Sequence, residues 1–357
     1  MEAKGQRFLY NMNQLIKILA AAVIVVVIVY ILNSFSLLYI NKSTLNNFTT
    51  IFFSIILEGI PFIILGSFIS SLIQVFISEE RLARLIPRNK LMGTFIAAFM
   101  GLLFPVCECA IVPIVKRLIK KGLPLNMAVT FMLAVPIINP IVLASTYYAF
   151  LGKPYMVFLR AGFGVASAMI IGYLVSILQT NNPLKNNINH DEQECSCGYH
   201  SHSHGHHHHH EHLHEHDDSK WSEIIGHTNS EVYDVGKLFI IGAFLAAALQ
   251  TFIPRQLILS IGSGNLSSII VMMTLAFVLS ICSETDAFIA RTFLNQFTVG
   301  SIIGFLILGP MIDIKNTIML SGNFKLGFVV KLIFLIISIC FLAAVAVGFI
   351  PSWIFGY

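Results

Sequence analysis

Residues 104–113 read FPVCECAIVP and interrupt the middle of an apolar run that extends from 91 to 121. Proline removes an amide proton and clashes with the preceding turn, so two of them unwind a helix here. Between them lie two thiols and a carboxylate that lipid cannot partner. Such a break is tolerated at membrane depth only where the freed groups line a cavity inside the protein. Three further apolar runs carry interruptions of the same kind: 124–150 at VPIINP, 266–297 at CSETD and 298–320 at LGPMID. Each break is a candidate site.

Composition supports this reading along the whole chain. Of 357 residues, 56% are hydrophobic and 11% charged, against about 45–50% and about 25% in soluble domains. A water-soluble fold is excluded, the apolar content is too high for disorder, and the charge is too sparse for a nucleic-acid surface. A spanning helix needs about 20 apolar residues. Uninterrupted runs of that kind lie near 14–40, 48–77, 154–179, 232–253 and 326–350. The first is too long and too far from the N-terminus for a simple signal peptide, so it reads as a retained helix.

The two halves repeat. GSFISSLIQVFI from Gly66 matches GAFLAAALQTFI from Gly242; Cys107 aligns with Cys282, the Pro136–Asn139 stretch with Pro310–Asp313, and Glu58 with Asp234. The expected architecture is an all-α polytopic membrane protein: an extra N-terminal helix (1–45), a first four-segment repeat (46–179), a polar linker (180–231) and a second repeat (232–357). If 91–121 and 266–297 are re-entrant hairpins, the repeats are inverted. Lys116, Arg117, Lys120 and Lys121 then join most other Lys and Arg on the cytoplasmic side, as the positive-inside rule prefers. That places the linker in the cytoplasm and the hairpin tips near the midplane.

The breaks hold the candidate chemistry. In an unwound turn Cys107 and Cys109 can face one ligand, and a thiolate pair suits soft ions such as As(III), Cu(I) or Zn(II). The ordinary alternative is two small side chains filling a helix crossing, but Glu108 between them has no packing reason to be there. Cys282, Glu284 and Asp286 crowd a thiol and two carboxylates into five residues, facing cargo, water, protons or Arg291. Asn139 and Asp313 follow Pro136 and Pro310, and either cap restarted half-helices or contact cargo. Lys315 leaves open a place for Asp313 at the cytoplasmic rim. The expected substrate-binding set is thus Cys107, Glu108, Cys109, Asn139, Cys282, Glu284, Asp286 and Asp313. An acid in a dry setting suits proton exchange, which makes Glu58, Glu284 and Asp286 the coupling candidates. Asp234 reads as a solvated residue at a helix start.

The linker stretch CSCGYHSHSHGHHHHHEHLHEHDD (195–218) holds most of the 13 histidines. Its imidazoles and thiols, among them Cys195, Cys197, His202, His204, His206, His208 and His210, suit Zn, Ni or Cu without fixing a geometry. No cofactor is required for the membrane core.

CECAIVPIVKRLIKKGLPLNMAVTFMLAVPIINPIVLASTYYAF (107–150), with CSETDAFIARTF (282–293) and GPMIDIKN (309–316), resembles the bacterial predicted-permease family that includes organoarsenical and arsenite efflux permeases. The resemblance covers roughly residues 50–345. It implies a cytoplasmic-membrane permease, with Cys107 and Cys109 at the positions suspected of binding trivalent arsenic. The expectation is an efflux permease for a soft metalloid or metal, a trivalent arsenical first, moving a small molecule or ion through the bilayer. A homo-oligomer is compatible with it. Two other readings stand beside it: a divalent transition-metal transporter that uses the His-rich loop, and a membrane thiol enzyme or redox protein. No P-loop motif is present, so energy comes from the proton gradient or a separate ATPase.

Overall fold

A computed structural model describes residues 42–76, 78, 86, 87, 89–102, 106–179, 183–185, 220–252 and 264–350. The expected helix at 14–40 and the linker residues Cys195, Cys197, His202, His204, His206, His208 and His210 lie outside the described residues. Contacts divide the chain between Ile51 and Phe52, and every site below lies in the Phe52–Tyr357 unit.

The described residues form twelve α-helices, in chain order α1 (Lys42–Phe76), α2 (Lys90–Met100), α3 (Glu108–Lys120), α4 (Leu125–Ile138), α5 (Pro140–Ala149), α6 (Tyr155–Leu178), α7 (Lys220–Phe252), α8 (Asn265–Leu279), α9 (Asp286–Arg291), α10 (Val299–Met311), α11 (Ile314–Asn323) and α12 (Leu326–Gly348). Among them no strand occurs; a lone antiparallel bridge joins Leu184 to Phe324. Helices dominate because lipid offers the backbone no partner, so each segment must satisfy its own amides. Among the described residues, six stretches are long and apolar enough to cross a membrane: Lys42–Phe76, Leu125–Ala149, Tyr155–Leu178, Ile224–Phe252, Val299–Asn323 and Leu326–Gly348. The chain is a multi-pass membrane protein.

The broken segments fall where the sequence places them. Asn139 separates α4 from α5, Ile312 and Asp313 separate α10 from α11, and short helices flank the other two breaks. Helix order runs alike in the two halves, from a long helix through two short ones to a broken and then an unbroken span. The broken spans form the centre: 78% of the apolar window of Leu125–Ala149 and 89% of that of Val299–Asn323 are buried, against 28–33% in the other four. Leu57, Phe158 and Phe334 point outward from the unbroken spans with most of their surface exposed. That is unfavourable in water but suits lipid.

Close backbone approach holds the centre together, as expected where helix association relies on small residues. A Cβ on Gly172 of α6 would meet Thr130 Oγ1 of α4 at 2.0 Å, and one on Gly300 of α10 would meet Ala344 O of α12 at 2.5 Å. One boundary differs from the sequence reading. α7 begins at Lys220, so a helix covers the last part of the stretch read as linker, and Asp234 sits inside it, exposed and paired with Lys237 at 2.6 Å.

Candidate functional site

Cys107 is extended (φ −81°, ψ 173°) and precedes the first residue of α3. Cys107 therefore stands outside the helix and Cys109 in its first turn, the arrangement that lets residues two apart face one space. Gly66 of α1 seats this turn: a Cβ there would lie 2.5 Å from Ala110 Cβ and 2.8 Å from Ala110 Cα. Both thiols, with Glu108, line a small cavity completed by Ile55, Glu58, Gly59, Phe62, Cys282 and Lys315. It has room for about one water molecule. Cys107 lies beside both Cys109 and Cys282, so one thiol from the second half joins two from the first.

The second turn follows α8. Ser280 adopts the left-handed conformation (φ 46°, ψ 44°) that ends α8, and its Oγ accepts from the amide of Ile314 at 3.2 Å. That bond offsets backbone strain of about 1–3 kcal/mol. Next, Cys282 donates to Glu284. Ser283 Oγ donates to Glu108 Oε2 at 3.0 Å, joining the two turns, and Thr285 Oγ1 donates to Glu58 Oε1 at 3.4 Å. Glu108, 1% exposed, keeps Oε1 without a hydrogen-bond partner and also borders a second small cavity with Ile111, Val112, Met132, Pro310, Met311, Asn316 and Leu320.

Asp286 has a different setting. Arg160 of α6 holds it with two parallel bonds, Nη1 to Oδ1 at 2.8 Å and Nη2 to Oδ2 at 2.7 Å, and also donates to Thr146 Oγ1 at 2.8 Å and Ser283 O at 3.3 Å. Arg160 is fully buried, whereas Arg291, the cation nearest in sequence, is exposed. Asn139 caps α5 through Ile141 N at 3.0 Å, and Asp313 caps α11 through Asn316 N at 2.6 Å. Asp313 and Lys315 are both buried, not at a rim, with Nζ to Oδ2 at 3.4 Å.

Cys107, Glu108, Cys109, Cys282 and the coupling candidate Glu58 thus share one cavity, with Glu284 bonded to Cys282; Asp286 and Asn139 are not among its lining residues. Sequence reasoning missed Arg160 as a partner and Lys315 as a lining group. The available signal was a cation inside an apolar run. Among the described residues no group of three or more His, Cys, Asp or Glu side chains is set to hold a metal ion.

Spans broken around buried thiols and carboxylates define a helical membrane protein with polar groups held in its interior. The chain belongs to the family described as "Predicted permease", which matches residues 44–349; it is a membrane permease, a transporter and not an enzyme. UPF0718 protein YcgR of Bacillus subtilis (strain 168) is 45% identical over 298 residues, 84% of this chain and 96% of that protein. A protein named putative two-component membrane permease complex subunit, from Streptococcus mutans, is 36% identical over 283 residues, 79% and 89% of the two chains. UPF0718 protein MJ0584 of Methanocaldococcus jannaschii is 32% identical over 119 residues, 30% of this chain and 32% of that protein. No solved structure matches.

Proposed function

We propose that this permease exports a thiophilic cation or metalloid, a trivalent arsenical first, across the bacterial cytoplasmic membrane, with Cys107, Cys109 and Cys282 as its soft ligands. The observation that carries the reading is the convergence of three buried thiols, from breaks in both halves of the chain, on one cavity. Sulfur ligands select soft ions over hard ones, while Glu58, Glu108 and Glu284 offer proton acceptors beside them. A cavity with room for one water is a closed state, so cargo enters when the turns part. Alternating access then rocks one half against the other around this point. The name of the Streptococcus mutans relative supports a second subunit for this permease too.

The test is resistance. A strain carrying Cys107→Ser with Cys109→Ser loses resistance to trivalent arsenicals or to Cd(II) and Zn(II), and inverted vesicles made from it lose uptake of the same species. Unchanged resistance and uptake at normal expression would sink the thiol site.

A further inference from the structure

Lys315 is a cation enclosed by protein, 3% exposed, lining the same cavity as Glu58, Glu108 and the three thiols. We propose that its ammonium is a tethered counter-ion: it holds the cavity's carboxylates when cargo is absent, and it gives way when a thiophilic cation binds. This rests on the cargo reading above in its metal-cation form, and adds to it the residue that sets release.

Four observations carry it. First, Lys315 lies in the first turn of α11, where the positive end of the helix dipole disfavours a cation, so local helix stability does not explain its presence. Second, its place is built. A Cβ on Gly242 of α7 would lie 2.9 Å from Lys315 Cα, which fixes the backbone that aims the side chain. Third, its contact with Asp313 is long, 3.4 Å, against about 2.7–2.9 Å for a firm charge-assisted bond. Asp313 Oδ2 and Glu108 Oε1 both lack a hydrogen-bond partner, so the ammonium is loosely held among acceptors with capacity to spare. Fourth, the ammonium and the three thiols line one cavity with room for about one water, and two cations at such range in a low dielectric repel strongly. Occupancy by one therefore opposes the other. Each thiolate–metal bond formed breaks one S–H bond and passes one proton to a carboxylate or to water, and the ammonium keeps its own proton throughout. When it swings back to the carboxylates it competes with the metal and drives it out.

The experiment uses the full-length chain in lipid nanodiscs, with Cys195→Ser and Cys197→Ser removing the linker thiols. Cd(II) is the probe, read by its thiolate charge-transfer absorption. Lys315→Gln is expected to bind Cd(II) about tenfold tighter and, in proteoliposomes, to move it about tenfold more slowly; Lys315→Arg, which keeps the charge, binds less tightly than Lys315→Gln. Lys315→Met, close in volume and uncharged, gives the same tightening and serves if the Gln variant does not fold. Equal or weaker binding in the uncharged variants overturns the counter-ion. Absence of the thiolate band in the chain that keeps Lys315 overturns the cargo reading instead. Tighter binding with transport unchanged would be a general charge effect and also overturns the counter-ion.

Discussion

The Cys107–Cys109 turn and the Cys282–Asp286 turn occupy matching places in the two halves, yet they are held in different ways. The first is seated by shape, with Gly66 against Ala110 and apolar neighbours such as Ile111 and Val112, and is tied to the second by the hydrogen bond from Ser283 to Glu108. The second is bolted by charge, through the two bonds from Arg160 to Asp286 and the bond from the same guanidinium to Thr146. At the position that matches Asp286 the first half has Ile111. The difference separates two tasks. A transporter needs one surface that presents ligands and can yield, and another that stays fixed as the first moves; the thiol turn suits the former and the Arg160-anchored turn the latter.

The largest expected effect comes from breaking the fixed side. Arg160→Leu strands Asp286 in a dry interior, and removing one partner of a buried ion pair costs about 3–5 kcal/mol. Thermal unfolding in detergent should show that loss. Arg160→Leu with Asp286→Leu should recover most of it, because no charge is then left unpaired. If Arg160→Leu melts like the parent chain but fails in transport, Asp286 is a working carboxylate after all and the division of tasks is wrong.

That pair also marks the limit of what the sequence reveals. The breaks are legible because prolines, thiols and acids in apolar runs have few physical explanations: capping of restarted helices was one of the two roles open to Asn139 and Asp313, beside contact with cargo, and both side chains cap. The meeting of Glu108 with Ser283 follows from the repeat itself, since both come one residue after the aligned Cys107 and Cys282. The Arg160 to Asp286 contact does not, because it joins side chains 126 residues apart with no counterpart in the other half. Lys315 was hidden for a similar reason: a cation near a span end reads as a topology marker until its surroundings are known. The start of α7 was obscured by composition. Ile224, Glu231 and Val235 lie on one buried face at helical spacing, but the polar residues between them dilute the pattern that would announce a helix.

A smaller effect follows from cutting the link between the turns. Ser283→Ala leaves both carboxyl oxygens of Glu108 without a partner, and an unsatisfied buried acceptor costs about 1–3 kcal/mol. The loss should appear as a lowered melting temperature, along with changed transport of Cd(II) in inverted vesicles, because the yielding turn is the one set free. Restoring the hydroxyl with Ser283→Thr should return both. A melting loss as large as that of Arg160→Leu would mean the two turns are a single rigid unit and that the contrast between them does not hold.

The smallest effect concerns the bed on which the fixed turn rests. Helix α9 packs against α5, and α5 starts at Asn139, whose side chain accepts from Ile141 N. Asn139→Ala removes that cap and should cost about 1 kcal/mol, while Asn139→Ser keeps an oxygen in place and should recover the melting temperature. The pair of variants separates capping from ligation because only the cap is replaced by serine; the amide is not, and its Nδ2 is buried without a partner in the closed state. If Asn139→Ser melts normally and transports Cd(II) normally, Asn139 serves the fixed side alone. If it melts normally and transports poorly, the amide reaches cargo, and the bed of the fixed turn contributes to the pathway as well as supporting that turn.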